Sequence, residues 1–110
     1  MLSLQERAGW EEFLDTMASS DSDALIRWVA THPVLFDCII YAIRQSSDIP
    51  VMTRVDCSDA LAQLQALRNQ LDDALDALNS PAIARADDNI RAWQSRYYPY
   101  PWKMWKKHIR

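Results

Sequence analysis

One hundred and ten residues with 49% hydrophobic content and a formal charge of −3 describe one folded domain, able to bury about two-thirds of its unfolded surface. The single glycine, Gly9, excludes phosphate-cradling loops and dinucleotide fingerprints, which need several glycines for close backbone approach; it also disfavours hairpin-rich β folds. Charge is unevenly divided: seven arginines against fifteen acids leave residues 1–95 at −8, whereas Arg96, Lys103, Lys106, Lys107 and Arg110 give residues 96–110 a charge of +5. An acidic body, residues 1–96, and a basic tail, residues 97–110, follow from that split.

The chain opens with Ser3-Leu-Gln-Glu6, a capping-box pattern that marks a helix start. Trp10, Phe13, Leu14 and Met17 then recur at i, i+3, i+4 and i+7, the apolar stripe of a helix. Gly9 within it costs up to about 1 kcal/mol against alanine; a neighbouring chain crossing close by would be a reason to keep it. Residues 18–23 read as a turn. A short helix follows, with Leu25, Ile26, Trp28 and Val29 as its buried side, ending near His32-Pro33.

From Val34 to Ile43 only Asp37 and the Tyr41 hydroxyl interrupt an apolar surface, so this stretch is expected to be a helix enclosed by its neighbours. Thr31 or His32 can cap it, and Pro33 suits its first turn. Residues 46–57 are expected to be an irregular connection with Ile49, Val51 and Val55 tucked inward, since Pro50 argues against a strand. Ser58-Asp59 begins the longest predicted helix, carried to Leu78 by Leu61, Leu64, Leu67, Leu71 and Leu75. Ser80 is the predicted cap and Pro81 the first position of the next helix, whose inner face is Ile83, Ala86, Ile90, Trp93 and Tyr97. These two helices form an antiparallel hairpin, which could also dock on its own copy. After Pro99 and Pro101, residues 102–110 have room for one or two helical turns. The expected fold is all-α: a compact bundle of about five helices with a C-terminal helical hairpin and an aromatic/basic tail.

That tail carries the strongest functional signal. Five aromatics fall among the nine residues from Tyr97 to Trp105, whereas chain ends are ordinarily polar unless docked. The candidate partner-binding set is Tyr97, Tyr98, Tyr100, Trp102, Lys103, Trp105, Lys106, Lys107 and Arg110. Trp, Tyr and Arg are the usual anchors of protein interfaces. The same residues suit stacking on single-stranded nucleic acid or a membrane interface, or they close the body's core while the lysines reach outward. Asp72, Asp73, Asp76, Asp87 and Asp88 form a candidate acidic patch on the hairpin, suited to a basic partner or, more blandly, a solvated face eased by nearby arginines.

Catalysis finds no pattern. His32 and His108 are the only histidines. A six-residue offset is expected to turn His32 and Cys38 to different faces. No C-x-x-C, H-E-x-x-H, G-x-S-x-G or calcium-loop motif is present, so neither a catalytic residue nor a metal site or cofactor is expected. Two cysteines without a framework read as free thiols, with the cytoplasm as the expected location. The N-terminus lacks the pattern of an export signal. The longest apolar run is about half the length of a membrane-spanning helix.

The reading these features support is a non-catalytic protein-binding module: an adaptor, assembly factor or inhibitor of a larger protein, of the kind found in phage and mobile elements. The alternative is a nucleic-acid binder using the tail, disfavoured because phosphate is repelled by residues 1–95 with their charge of −8, or peripheral membrane association through Trp102, Trp105 and the lysines.

Overall fold

The computed structural model describes residues 3–19, 22–98 and 102–109, with 18, 22, 102, 106, 108 and 109 described in backbone only. Six helices occur in it: α1 (Leu4–Ala18), α2 (Ser22–Thr31), α3 (Pro33–Gln45), α4 (Val51–Asp76), α5 (Ser80–Tyr97) and α6 (Trp102–Ile109). No strand occurs among the described residues. The all-α bundle stands, with five helices in the body and a sixth in the tail.

Helix α1 starts where Ser3 Oγ accepts the Glu6 N–H at 3.1 Å, satisfying one donor that the helix itself leaves open. Its stripe supplies Trp10, Phe13, Leu14 and Met17, all buried. Gly9 has a structural reason: an added Cβ would lie 3.0 Å from Leu35 Cγ, so α1 and α3 approach across a residue without a side chain. At the centre, Phe13 stands 5.5 Å from Trp10, 5.3 Å from Trp28 and 5.8 Å from Phe36 between ring centroids. These are spacings at which aromatic pairs attract beyond simple burial.

Helices α2 and α3 meet at 90°. His32 occupies the N-cap of α3 with φ −129° and ψ 48°, without a side-chain capping bond, and Pro33 takes the first turn. The expected enclosure of α3 is corrected. Phe36, Ile39, Ile40 and Ile43 are buried, but Val34 is 74% and Tyr41 68% exposed, and Cys38 is exposed too. At 100° per residue these three share the side opposite the isoleucines, so α3 has one covered face and one bare apolar face.

The segment after α3 also differs from expectation. Residues 51–57 are helical, and α4 begins seven residues before Ser58. Pro50 is its N-cap, with φ −54° and ψ 140°, and its carbonyl accepts the first helical bond from Arg54 N–H at 2.9 Å. A proline at a helix start gives up an N–H that would have had no partner. Helical periodicity then replaces alternation: Ile49, Thr53 and Cys57 are buried, while Val51 is 61% and Val55 48% exposed.

The leucine stripe of α4 fades towards its end. Leu61, Leu64 and Leu71 are buried, but Leu75 and Leu78 are exposed, because the end of the α4–α5 hairpin has no further layer to cover it. Helix α4 stops two residues short of Leu78, which has φ 52°. The Asn79 N–H bonds the Ala74 carbonyl at 3.1 Å and the Leu78 N–H bonds the Leu75 carbonyl at 3.1 Å. This is a Schellman stop with leucine where glycine is usual. Asn79, not Ser80, caps α5, accepting the Ala82 N–H at 3.2 Å. Ala86, Ile90 and Trp93 then bury the inner face of α5, with Ile83 and Tyr97 partly covered.

No single helix is long and apolar enough to cross a membrane among the described residues.

Candidate functional site

The tail is attached to the body by its aromatics. Trp105 is 1% exposed, and its ring centroid lies 5.7 Å from that of Tyr97, which in turn is 5.1 Å from Trp93. The Tyr97 hydroxyl donates to Gln63 Oε1 on α4 at 3.4 Å, and the Arg96 guanidinium carbon lies 5.5 Å from the centre of the Tyr97 ring. Tyr98 is half-buried, while Lys103 and Lys107 are exposed at i and i+4 on the outer side of α6. Trp102 and Lys106 are described in backbone only, and Tyr100 and Arg110 lie outside the described residues. Of the candidate anchors, Trp105 thus gives its side chain to the core, and Lys103 and Lys107 are exposed among the described side chains of α6.

The five aspartates of the candidate acidic patch differ in their surroundings. Asp72 pairs with Arg68 at 2.9 Å and helps line a groove with Val29, Pro33 and Phe36 on the α2–α3 side of α4. Asp87 pairs with Arg91 Nε at 2.9 Å, and Arg91 Nη2 reaches Asp23 on α2 at 2.8 Å. The hydrogen bond that Arg91 donates to Asp87, the charge of Asp87 and that of Asp23 raise the Arg91 pKa above its ordinary value. Asp73, Asp76 and Asp88 are exposed. No group of three His, Cys, Asp or Glu side chains is placed to share a metal ion among the described residues.

A larger hollow lies elsewhere. Ser3 at the cap of α1, Gln5 and Glu6 within it, and Thr31 to Leu35 with Cys38 border an open groove of about 540 Å³. His32 and Cys38 therefore share one groove, contrary to the expectation from their offset, because His32 sits at the cap and leaves the helical spiral. The His32 ring stacks on Trp28 at 4.7 Å, and its Nδ1 lies 2.9 Å from the Trp28 carbonyl and 2.9 Å from Thr31 Oγ1. A carbonyl only accepts, so Nδ1 carries a proton. The ring's hydrogen bonds go to Trp28 and Thr31 and none joins it to Cys38, so the pair lacks the contact that would activate a thiol.

The exposed large apolar residues mark where the body is unfinished. Val34 and Tyr41 on α3, and Val51, Met52 and Val55 on α4, make up five of the eight described, the others being Leu4, Leu75 and Leu78. A second groove, of about 280 Å³, runs between α3 and α4 and is lined by Arg44, Val51, Arg54, Val55, Ser58 and Asp59. Sequence reasoning passed over this surface, although a helical wheel of α3 would have found it. Asp37 and Arg44 lie on one edge of the isoleucine face and Leu35 and Ala42 on the other, leaving Val34, Cys38 and Tyr41 opposite. Comparison with protein-family models, with curated proteins and with solved structures finds no match to this chain. The reading therefore rests on the chain's own chemistry.

The two thiols give a direct check on the groove. Cys57 is fully buried, and that burial, with Asp56 beside it, pushes its pKa well above the ordinary thiol value. Cys38 stands open at the groove. A native-state titration with a chromogenic disulfide reagent at neutral pH is expected to count one thiol per chain, rising to two in denaturant. Two fast thiols in the native protein would contradict the burial of the first half of α4.

Proposed function

We propose that this protein is a non-catalytic protein-binding module, an adaptor, assembly factor or inhibitor that acts by covering part of a larger protein. The observation that carries the reading is the outward face of α3. Val34, 74% exposed, lines the 540 Å³ groove with Cys38, and Tyr41, 68% exposed, follows on the same side of a helix whose opposite face fills the core. Isolated apolar side chains on a surface need no explanation, but a helix face of this kind beside a groove is the form that docking sites take. A tyrosine next to aliphatic residues is also a common anchor composition. Lys103 and Lys107 on α6 add an exposed basic pair, suited to the polar rim of a contact rather than its centre.

The nucleic-acid reading draws less support. Stacking needs exposed aromatic rings, and Trp105 gives its ring to the core.

The test is affinity capture from the native source with the full chain, with nuclease present. Val34→Asp with Tyr41→Ala is expected to abolish capture of a stoichiometric protein, while Lys103→Glu with Lys107→Glu weakens it by less than tenfold. Capture lost with the lysine pair and retained with the α3 pair would return the site to the tail. Nucleic acid recovered without nuclease, and no protein, would replace the reading.

A further inference from the structure

The first two turns of α4 carry two complementary surfaces. One is the α4 side of the 280 Å³ groove: Val51, Arg54, Val55, Ser58 and Asp59, facing Arg44 across from α3. Neither arginine has a carboxylate within 4.0 Å among the described residues, whereas Arg68 and Arg91 do. Arg54 Nε, like Arg68 Nε, is buried without a hydrogen-bond partner, but Arg68 has its carboxylate in Asp72. The second surface is Met52, Val55, Asp56 and Asp59, at i, i+3, i+4 and i+7 on the outward side of the same helix. Met52 is 72% and Val55 48% exposed, and Asp56 and Asp59 are both exposed. The two surfaces share Val55 and Asp59, so apolar and acidic groups adjoin a groove whose two guanidinium groups have no carboxylate within 4.0 Å among the described residues.

We propose that the groove is occupied by the α4 ridge of a second copy of this chain, forming a two-fold dimer. Two-fold pairing requires that a patch match itself, with residue i meeting j while j meets i. The interleaved charges fit that requirement. Arg44 and Arg54 of each copy meet Asp56 and Asp59 of the other, Met52 enters the space beside Val51, and Val55 lies near the two-fold axis against its own counterpart. A purely acidic partner fits less well, because Asp59 already stands in the groove lining and residues 1–95 carry a net charge of −8. Pairing here uses the opposite end of α4 from the exposed Leu75 and Leu78 at the hairpin tip. It leaves Val34, Cys38 and the 540 Å³ groove open on each copy, so the dimer would present two α3 faces.

Sedimentation of the full chain over a range of concentrations tests the pairing without any other partner, so its result stands apart from that of the capture experiment. The mass is expected to rise from 12.7 kDa towards twice that value. Met52→Glu, an exposed position whose change leaves the helical circular dichroism intact, is expected to keep the chain monomeric. Asp56→Arg with Asp59→Arg, and separately Arg44→Glu with Arg54→Glu, are each expected to be monomeric, and an equal mixture of the two is expected to restore the dimer mass. A wild-type chain that stays monomeric throughout would overturn the proposal. So would a dimer unaffected by Met52→Glu and by both charge reversals.

Discussion

Replacing Trp105 with alanine is expected to lower the unfolding free energy by about 3–5 kcal/mol, the usual cost of emptying a buried tryptophan site. Its ring is 1% exposed and packs on Tyr97, which joins α6 to the α5 end and, through Gln63, to α4. A domain of this size has a stability of about 5–15 kcal/mol in all, so one side chain of the tail carries a large share. Urea unfolding followed by circular dichroism measures it directly. Lys103→Ala and Lys107→Ala, at exposed positions of the same helix, are expected to change stability by less than about 0.5 kcal/mol. Equal, small effects from all three would mean that α6 contributes nothing to the body. A further consequence concerns truncation: a chain ending at Arg96 lacks Trp105 and is expected to lose cooperative unfolding, so loss of a partner by that chain would not by itself locate the binding site.

Trp93→Ala is the second large effect, again expected at about 3–5 kcal/mol, and Trp93→Phe separates its causes. The Trp93 ring is buried between α4 and α5, and its Nε1–H donates to the Ala60 carbonyl at 2.8 Å. That carbonyl lies inside α4, where it can keep its helical bond when the indole is removed. Phenylalanine therefore forfeits one buried bond and some volume, about 1–2 kcal/mol in total. Cost near 4 kcal/mol for both variants would show instead that the indole hydrogen bond, rather than packing, joins the hairpin.

Much of the fold was legible because burial and helical period agree over long stretches. Trp10, Phe13, Leu14 and Met17 read as one stripe and are one stripe. The inner face of α5 was legible for the same reason. The misreadings share a cause: local signals whose meaning depends on what lies on the other side. Pro50 stops a strand and starts a helix equally well, and only the burial of Thr53 and Cys57 decides between them. The end of α4 carried no glycine to mark it, because Leu78 takes the left-handed position. Apolar residues around most of α3 suggested enclosure, yet the six helices among the described residues supply neighbours for one side only. The candidate site was less legible than the fold. Tail aromatics look alike in sequence whether they anchor a partner or close a core, and the position of Trp105 under Tyr97 depends on the chain folding back. Arg44 and Arg54, ten residues apart, share a groove only because α3 and α4 pack side by side.

The measurement that tests the binding account most directly is hydrogen–deuterium exchange of the full chain, alone and with the protein it captures. Slowed exchange is expected in residues 33–41 and at the start of α1, around the groove of Glu6, His32 and Cys38, with α6 unchanged. Protection confined to residues 102–109, with α3 exchanging as in the free protein, would contradict the account and make the tail the binding surface.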